Sequence, residues 1–116
     1  QEDLEQALTD NGKARLQLLK KEGQESLDKG QETLDKAETN LQEGKRRLAA
    51  AQARLQAQES QLALLPQAQR DQASAQLTQA KQELSKEEDK LKQAEQNLAQ
   101  EKEKLEKHQQ VLDDLA

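Results

Sequence analysis

Leucine recurs at every seventh position along most of the chain, in one run over 27–62 and a second run over 77–112. The residue three positions after a leucine is often small, as at Gly30, Ala37 and Gly44. Apolar residues spaced alternately by three and four positions form one stripe along a helix, and heptads sustained over this length are typical of a coiled coil. The pattern therefore predicts two long helices, each with a narrow apolar stripe.

Pro66, the only proline in the chain, lies between the two leucine runs. Proline lacks a backbone donor, and its ring disfavours helix at the residue before it. A short connection between two helices makes them antiparallel neighbours. We therefore predict an all-α fold, a long antiparallel two-helix coiled-coil hairpin with helices at about 13–64 and 68–115 and a tip at about 65–70.

The register of the hairpin follows from matching large layers to small ones. When Leu91 lies opposite Gly44, eight of the twelve heptad leucines face a glycine or alanine of the other helix. Each glycine costs about 0.5–1 kcal/mol relative to alanine in a helix, and close packing around the opposing leucine offsets this cost. The predicted hairpin core consists of Leu27, Leu34, Leu41, Leu48, Leu55, Leu62, Leu77, Leu84, Leu91, Leu98, Leu105, Leu112, Gly30, Ala37, Gly44, Ala51, Ala73, Ala80 and Ala94.

Three layers of this register place a leucine opposite a glutamate or the histidine. They are Leu48 opposite Glu87, Leu34 opposite Glu101, and Leu27 opposite His108. Long polar side chains can pack their stems on the leucine and send the polar end into solvent. We therefore expect these layers to be tolerated, and His108 to serve as a layer or surface residue without a catalytic role.

Residues 1–12 are predicted to be an N-terminal overhang, a short helix or frayed segment, while 13–116 form the hairpin. The leucines at the start of the chain, such as Leu4 and Leu8, do not keep the later heptad phase. The sequence TDNG at 9–12 resembles a helix stop followed by a new start.

Composition mainly excludes other classes of protein. The chain is 35% charged and 32% hydrophobic, has no aromatic residue, and has a mean hydropathy of -1.22. A compact domain with a large core is therefore not expected. The net charge of -5, with both signs interspersed, argues against a nucleic-acid interface. No apolar run has the length of a membrane span, and without cysteine there are no disulfides or thiolate metal sites.

Candidate chemistry along the chain is sparse. No nucleophile motif, glycine-rich phosphate loop or metal-ligand spacing occurs. We therefore expect no enzyme activity, no cofactor, no metal and no small-molecule site. The charged run Ser85–Lys90 is predicted to be a solvated face. The basic run Lys45–Arg47 is predicted to pair with glutamates one helical turn away, with a phosphate or lipid-headgroup site as the alternative.

The hinge sequence LALLP, 62–66, leaves two interpretations open. Leu64, Leu65 and Pro66 either form a hydrophobic plug that closes the hinge, or they expose a tip that contacts a partner. Leu64 lies off the heptad stripe, so the heptads do not decide between them.

Two consecutive heptads repeat a leucine–acid–lysine–small motif, at 27–30 and 34–37. They lie in the segment 11–48, which also carries Arg15 in its first helical turns. This segment resembles the extracellular coiled-coil insert of FtsX-like (MacB-related) ABC transporter permeases of Gram-positive bacteria.

The resemblance implies a non-enzymatic stalk at the extracellular face of the cell membrane, which serves protein interaction or transmits a conformational change across the membrane. The implied protein partners are the remainder of the permease, a cytoplasmic ATPase acting indirectly, and an extracellular hydrolase or adaptor. Two alternatives remain: the hairpin of an HlyD-type secretion or efflux adaptor, which Arg54 and Leu55 imitate, and a structural stalk of a Gram-positive surface protein. The expected state is a monomer or a weak homodimer.

A distance measurement tests the predicted register. Nitroxide labels on Leu41→Cys and Ala94→Cys are expected to lie within about 10–15 Å of each other, because packed helices are spaced by about 8–10 Å. Electron paramagnetic resonance on the doubly labelled chain gives this distance. A much longer separation would contradict the pairing.

Overall fold

The structure, a computed structural model, describes residues 2–115. Within this range it contains two α-helices and no strand, namely α1 at Glu2–Leu62 and α2 at Gln67–Asp114. The predicted all-α fold of two long helices joined at the proline is confirmed. At the hinge, α1 ends two residues before the predicted boundary and α2 begins one residue before it. The predicted segments also included Gln1 and Ala116, which lie outside the described residues.

The described residues divide into two compact units. The first unit comprises 2–36 and 99–115, and the second comprises Ala37–Leu98. Each unit contains a stretch of α1 packed on a stretch of α2.

In the first unit, two glycines of α1 lie directly against leucines of α2. A Cβ atom built on Gly23 would lie 3.2 Å from Leu112 Cδ1, and one built on Gly30 would lie 3.0 Å from Leu105 Cδ1. The residue numbers rise along α1 as they fall along α2, so the helices are antiparallel here. Both pairs are the ones that the predicted register gives.

The second unit shows the same arrangement. A Cβ atom built on Gly44 would lie 2.8 Å from Leu91 Cδ2. Nearer the hinge, Lys81 Nζ lies 2.7 Å from Glu59 Oε1. The order along the two helices is again reversed, and the Gly44 layer again has its predicted partner.

The N-terminal part of α1 is helical throughout, so the predicted stop at 9–12 is wrong. Thr9 Oγ1 donates to the carbonyl oxygen of Glu5 at 2.9 Å, and Gln6 Nε2 donates to Asp10 Oδ1 at 3.1 Å. Gly12 has no left-handed backbone conformation. The polar side chains that suggested a stop are therefore accommodated by hydrogen bonds one turn away along the same helix.

The core is a single file of leucines, four of which are only 7–9% exposed: Leu27, Leu34, Leu41 and Leu77. Burying one such side chain stabilises the fold by about 1.5–3 kcal/mol. Because each helix has one neighbour, the remaining predicted layers are only partly covered. These half-buried residues are Leu48, Leu55, Leu62, Leu84, Leu91, Leu98, Leu105, Leu112, Gly30, Gly44, Ala51, Ala73 and Ala80.

Two alanines differ from the predicted core. Ala37 and Ala94 are exposed. A methyl group does not reach across to a neighbouring helix, and with a single partner helix the surface around it stays open to solvent. At these two positions the small residue is therefore left open to solvent.

The glycine layers predict a specific energetic coupling. Helix propensity alone favours Gly44→Ala by about 1 kcal/mol, but the added methyl group would push the Leu91 side chain out of its position against residue 44. Gly44→Ala should therefore leave the free energy of unfolding almost the same in the otherwise unchanged chain. In a Leu91→Ala chain it should raise this free energy by nearly the full propensity gain of about 1 kcal/mol. Denaturant unfolding followed by circular dichroism measures both values.

Gly12→Ala is the matched control, since a Cβ atom at Gly12 would meet nothing within 4 Å. Its effect on helicity should not depend on Leu91. An equal gain in the free energy of unfolding from Gly44→Ala in both backgrounds would contradict the packing of Leu91 against Gly44.

Candidate functional site

The hinge is a tight turn built around Pro66. Leu64 N donates to the carbonyl oxygen of Gln61, and Leu65 N donates to that of Leu62, each at 3.1 Å. These bonds span three residues and tighten the end of α1. The carbonyl oxygen of Pro66 then accepts a hydrogen bond from Arg70 N at 2.8 Å, as α2 begins. The missing proline donor costs nothing at the start of a helix, where such donors have no partner within the helix.

Arg70 ties the two sides of the hinge together. Its Nη2 atom donates to the carbonyl oxygen of Leu65 at 3.0 Å and to that of Ala63 at 3.4 Å. These carbonyls follow the end of α1, where a positive charge also interacts favourably with the helix dipole. The sequence analysis missed this residue. The available signal was an arginine one turn after a helix-breaking proline.

The three predicted tip residues have different environments. Leu65 is half-buried and lines a groove with Leu62 and Leu77, so it covers the hinge end of the apolar stripe. Leu64, in contrast, is 83% exposed, and Pro66 is exposed beside it. The hinge therefore contains both a covering residue and a projecting apolar side chain.

Two ion pairs join α1 to α2 within the second unit. Lys45 Nζ lies 3.0 Å from Glu95 Oε1, and Lys81 Nζ lies 2.7 Å from Glu59 Oε1. All four residues occupy the same heptad position, directly after the small-residue position. Half-exposed pairs of this kind contribute about 0.2–1 kcal/mol each. Their main effect is to favour one alignment of the two helices over alternatives that differ by a heptad.

The basic run at 45–47 is divided between these two kinds of pairing. Arg47 and Arg46 lie 3.5 Å and 3.9 Å from Glu43, respectively, on the same helix. The prediction of pairing one turn away is thus confirmed for these arginines. It is wrong for Lys45, which reaches across to α2 because it borders the apolar stripe.

The charged run at 85–90 forms pairs along α2. Lys90 Nζ lies 3.4 Å from Glu87 Oε1, and Lys92 Nζ lies 3.7 Å from Glu88 Oε1. These side chains are about half to three-quarters exposed. They form the solvated face that the sequence predicted.

A groove of about 490 Å³ runs beside the Leu55 and Leu84 layers of the second unit. Its floor is formed by these leucines with Ala51 and Ala80, and its walls carry charged side chains of both signs. A surface of this kind presents apolar contacts and ion-pair partners to a protein segment.

Among residues 2–115 there is no group of three or more metal-ligating side chains and no helix that is both long and apolar enough to cross a membrane. Comparisons of this chain with protein-family models, with curated proteins and with solved structures find no match. The candidate functional features among the described residues are the hinge, the groove and the exposed apolar positions.

The contacts of Arg70 predict a stabilising role for this residue. Arg70→Ala should lower the free energy of unfolding by about 0.5–1 kcal/mol, because two carbonyl oxygens lose a charged donor in a solvent-exposed setting. Thermal unfolding followed by circular dichroism measures the loss. Arg54→Ala, which removes an exposed arginine from mid-helix, is the control, and an equal loss from both variants would contradict a specific role for the hinge contact.

Proposed function

We propose that this chain is a non-enzymatic helical hairpin that acts as a stalk on the extracellular face of an FtsX-like ABC transporter permease. In this role it carries protein contacts or transmits a conformational change from the permease outward. The observation that carries the proposal is the direct packing of α2 leucines against α1 glycines, which recurs in both units.

This packing of leucine against glycine supports a mechanical role. A pair of packed helices bends only if one helix slides along the other. In each unit, sliding would lift a leucine out of the space above a glycine and force it against larger neighbours, which costs packing energy. A movement applied to one part of such a unit is therefore passed along it with little loss.

The motif that carries the resemblance forms part of the packed layers. Leu27 and Leu34, which open the two repeats, are among the four buried leucines. Gly30 closes the first repeat and lies against Leu105. The small residue in the motif is thus matched by a physical need for close approach, which supports the permease proposal.

The projecting side chain at the hinge supports a contact with another protein. Leu64 is more exposed than any other leucine among the described residues, whereas Leu65 beside it is half-buried. In the proposed role Leu64 contacts another part of the permease assembly, such as an extracellular hydrolase or adaptor.

A paired deletion tests the stalk proposal. Removing 46–52 from α1 and 83–89 from α2 deletes whole heptads that lie opposite each other, so it keeps the register and shortens each helix by about 10 Å at 1.5 Å per residue. We expect this chain to fold normally but to fail to complement a strain that lacks the parent protein. Circular dichroism and complementation of the strain measure the two outcomes.

Deleting only 46–52 is the control for the fold, since it misaligns the layers and should lower the melting temperature. Full complementation by the paired deletion would overturn a role that depends on the length of the hairpin.

Labelling of intact cells tests the proposed location. The chain has no cysteine, so Leu64→Cys in the parent protein introduces an exposed thiol at the hinge. A membrane-impermeant maleimide should label this thiol in intact cells, whereas Leu34→Cys, at a buried position, should react slowly under the same conditions. Labelling of Leu64→Cys only after lysis would contradict the extracellular location.

A further inference from the structure

The hinge end of the second unit is almost free of charge. Among residues 60–80 only Arg70 and Asp71 are charged, although 35% of the whole chain is charged. These two charges have opposite signs, and each is engaged within the hinge. Arg70 donates to hinge carbonyl oxygens, and Asp71 Oδ1 accepts a hydrogen bond from Gln67 Nε2 at 3.4 Å. The net charge of -5 therefore lies entirely on the other residues of the chain.

A groove of about 440 Å³, here called the hinge groove, opens at this end. All of its lining residues are uncharged, in contrast to the charged walls of the groove beside Leu55 and Leu84. Two of the leucines in its floor are only half-buried, so apolar surface remains open to solvent. The hinge groove is defined by Leu62, Leu65 and Leu77 in its floor and by Gln58, Gln61 and Gln76 in its walls.

The neutrality of the hinge groove restricts what covers it. A charged segment would lose hydration there without gaining an opposite charge, which opposes its binding. An uncharged surface of apolar and amide groups avoids this cost. Two copies of this chain repel each other through their net charge of -5, and this repulsion is reduced where both copies present uncharged residues. A second copy therefore meets little electrostatic opposition at the hinge groove.

Glutamine walls suit a contact between identical chains. In a two-fold contact the residues near the axis meet their own copies. A carboxylate or an ammonium group would repel its copy, whereas an amide donates and accepts hydrogen bonds at once. The first unit contains such a pair: Gln24 Nε2 donates to Gln109 Oε1 at 3.0 Å, and Gln109 Nε2 donates to Gln24 Oε1 at 2.9 Å. Glutamine thus joins two helices of this chain without any charge.

We propose that the hinge groove of one chain packs against the hinge groove of a second copy. The contact covers the apolar floors of both grooves, and the glutamines of the walls form hydrogen bonds between the copies. It is isologous, so both copies contribute the same residues and the assembly closes as a dimer. Leu64 does not line the hinge groove, so its contact with another protein is separate. This proposal does not depend on the permease role.

Charges placed on both walls of the groove test the proposal. Gln61→Glu/Gln76→Glu and Gln61→Lys/Gln76→Lys each bring like charges of two copies together. Either variant alone should raise the dimer dissociation constant at least about tenfold. An equimolar mixture of the two should form mixed dimers at least as well as the unchanged chain, because opposite charges then meet. Sedimentation equilibrium measures these constants, and circular dichroism verifies the helicity of each variant.

Gln56→Glu/Ser85→Glu is the matched control. It changes the net charge by the same amount as the glutamate variant, with one substitution on each helix, and both residues line a different groove of the second unit. It should change the dissociation constant by less than about twofold. Equal weakening by the control, or a mixture that fails to associate, would contradict the contact. An unchanged chain that stays monomeric up to about millimolar concentration would overturn the proposal and assign the hinge groove to a different protein.

Salt dependence separates this contact from one held by ion pairs. The hinge groove is uncharged, and salt screens the repulsion between two copies of net charge -5. Raising sodium chloride from about 0.1 M to about 1 M should therefore leave the dimer of the unchanged chain as tight as before or tighten it. Sedimentation equilibrium at both concentrations measures this, and a dissociation constant that rises with salt would overturn the proposal.

Discussion

The close approach of two helix backbones is the constraint on which the rest of this structure depends. A two-helix pair offers each leucine a single neighbouring helix, so the distance between the two backbones decides which contacts its side chain makes. Glycine at the opposing position has no side chain to hold the two backbones apart. The leucine therefore lies directly against the glycine, as Leu105 does on Gly30 and Leu91 does on Gly44. The low helix propensity of glycine is the cost of this contact, and its recurrence in both units shows that the chain follows one packing rule.

Three kinds of interaction specify the same antiparallel pairing. The leucine–glycine layers exclude a shift of one helix along the other by less than a heptad, because such a shift would place side chains off the stripe. The ion pairs Lys45–Glu95 and Lys81–Glu59 distinguish this register from one displaced by a whole heptad. Arg70 holds the turn at Pro66, which fixes where the chain reverses. Agreement among these local preferences favours one fold even though the buried core is narrow.

The register can be predicted from the sequence because large residues on one helix and small residues on the other recur at matching heptad positions. The sequence does not reveal the side-chain contact of Arg70, which depends on where the backbone of the hinge places the carbonyl oxygens of Ala63 and Leu65. It suggests a false stop at 9–12, since the polar residues there bond along the helix in the structure. The exposure of Ala37 and Ala94 also lies beyond the pattern, because burial depends on how far a side chain extends toward its single neighbour. Leu64 and Leu65 also differ in exposure although they are adjacent, which no periodicity could indicate.

The glycines of the chain differ in what lies opposite them. Three of them lie opposite leucines of α2, and each marks a place where a second backbone comes close. Gly12 has no such neighbour within its own chain, although it bears the same propensity cost on a solvated helix. The low helix propensity of glycine is therefore offset by packing at three positions, whereas alanine at position 12 would gain helix propensity without displacing a leucine.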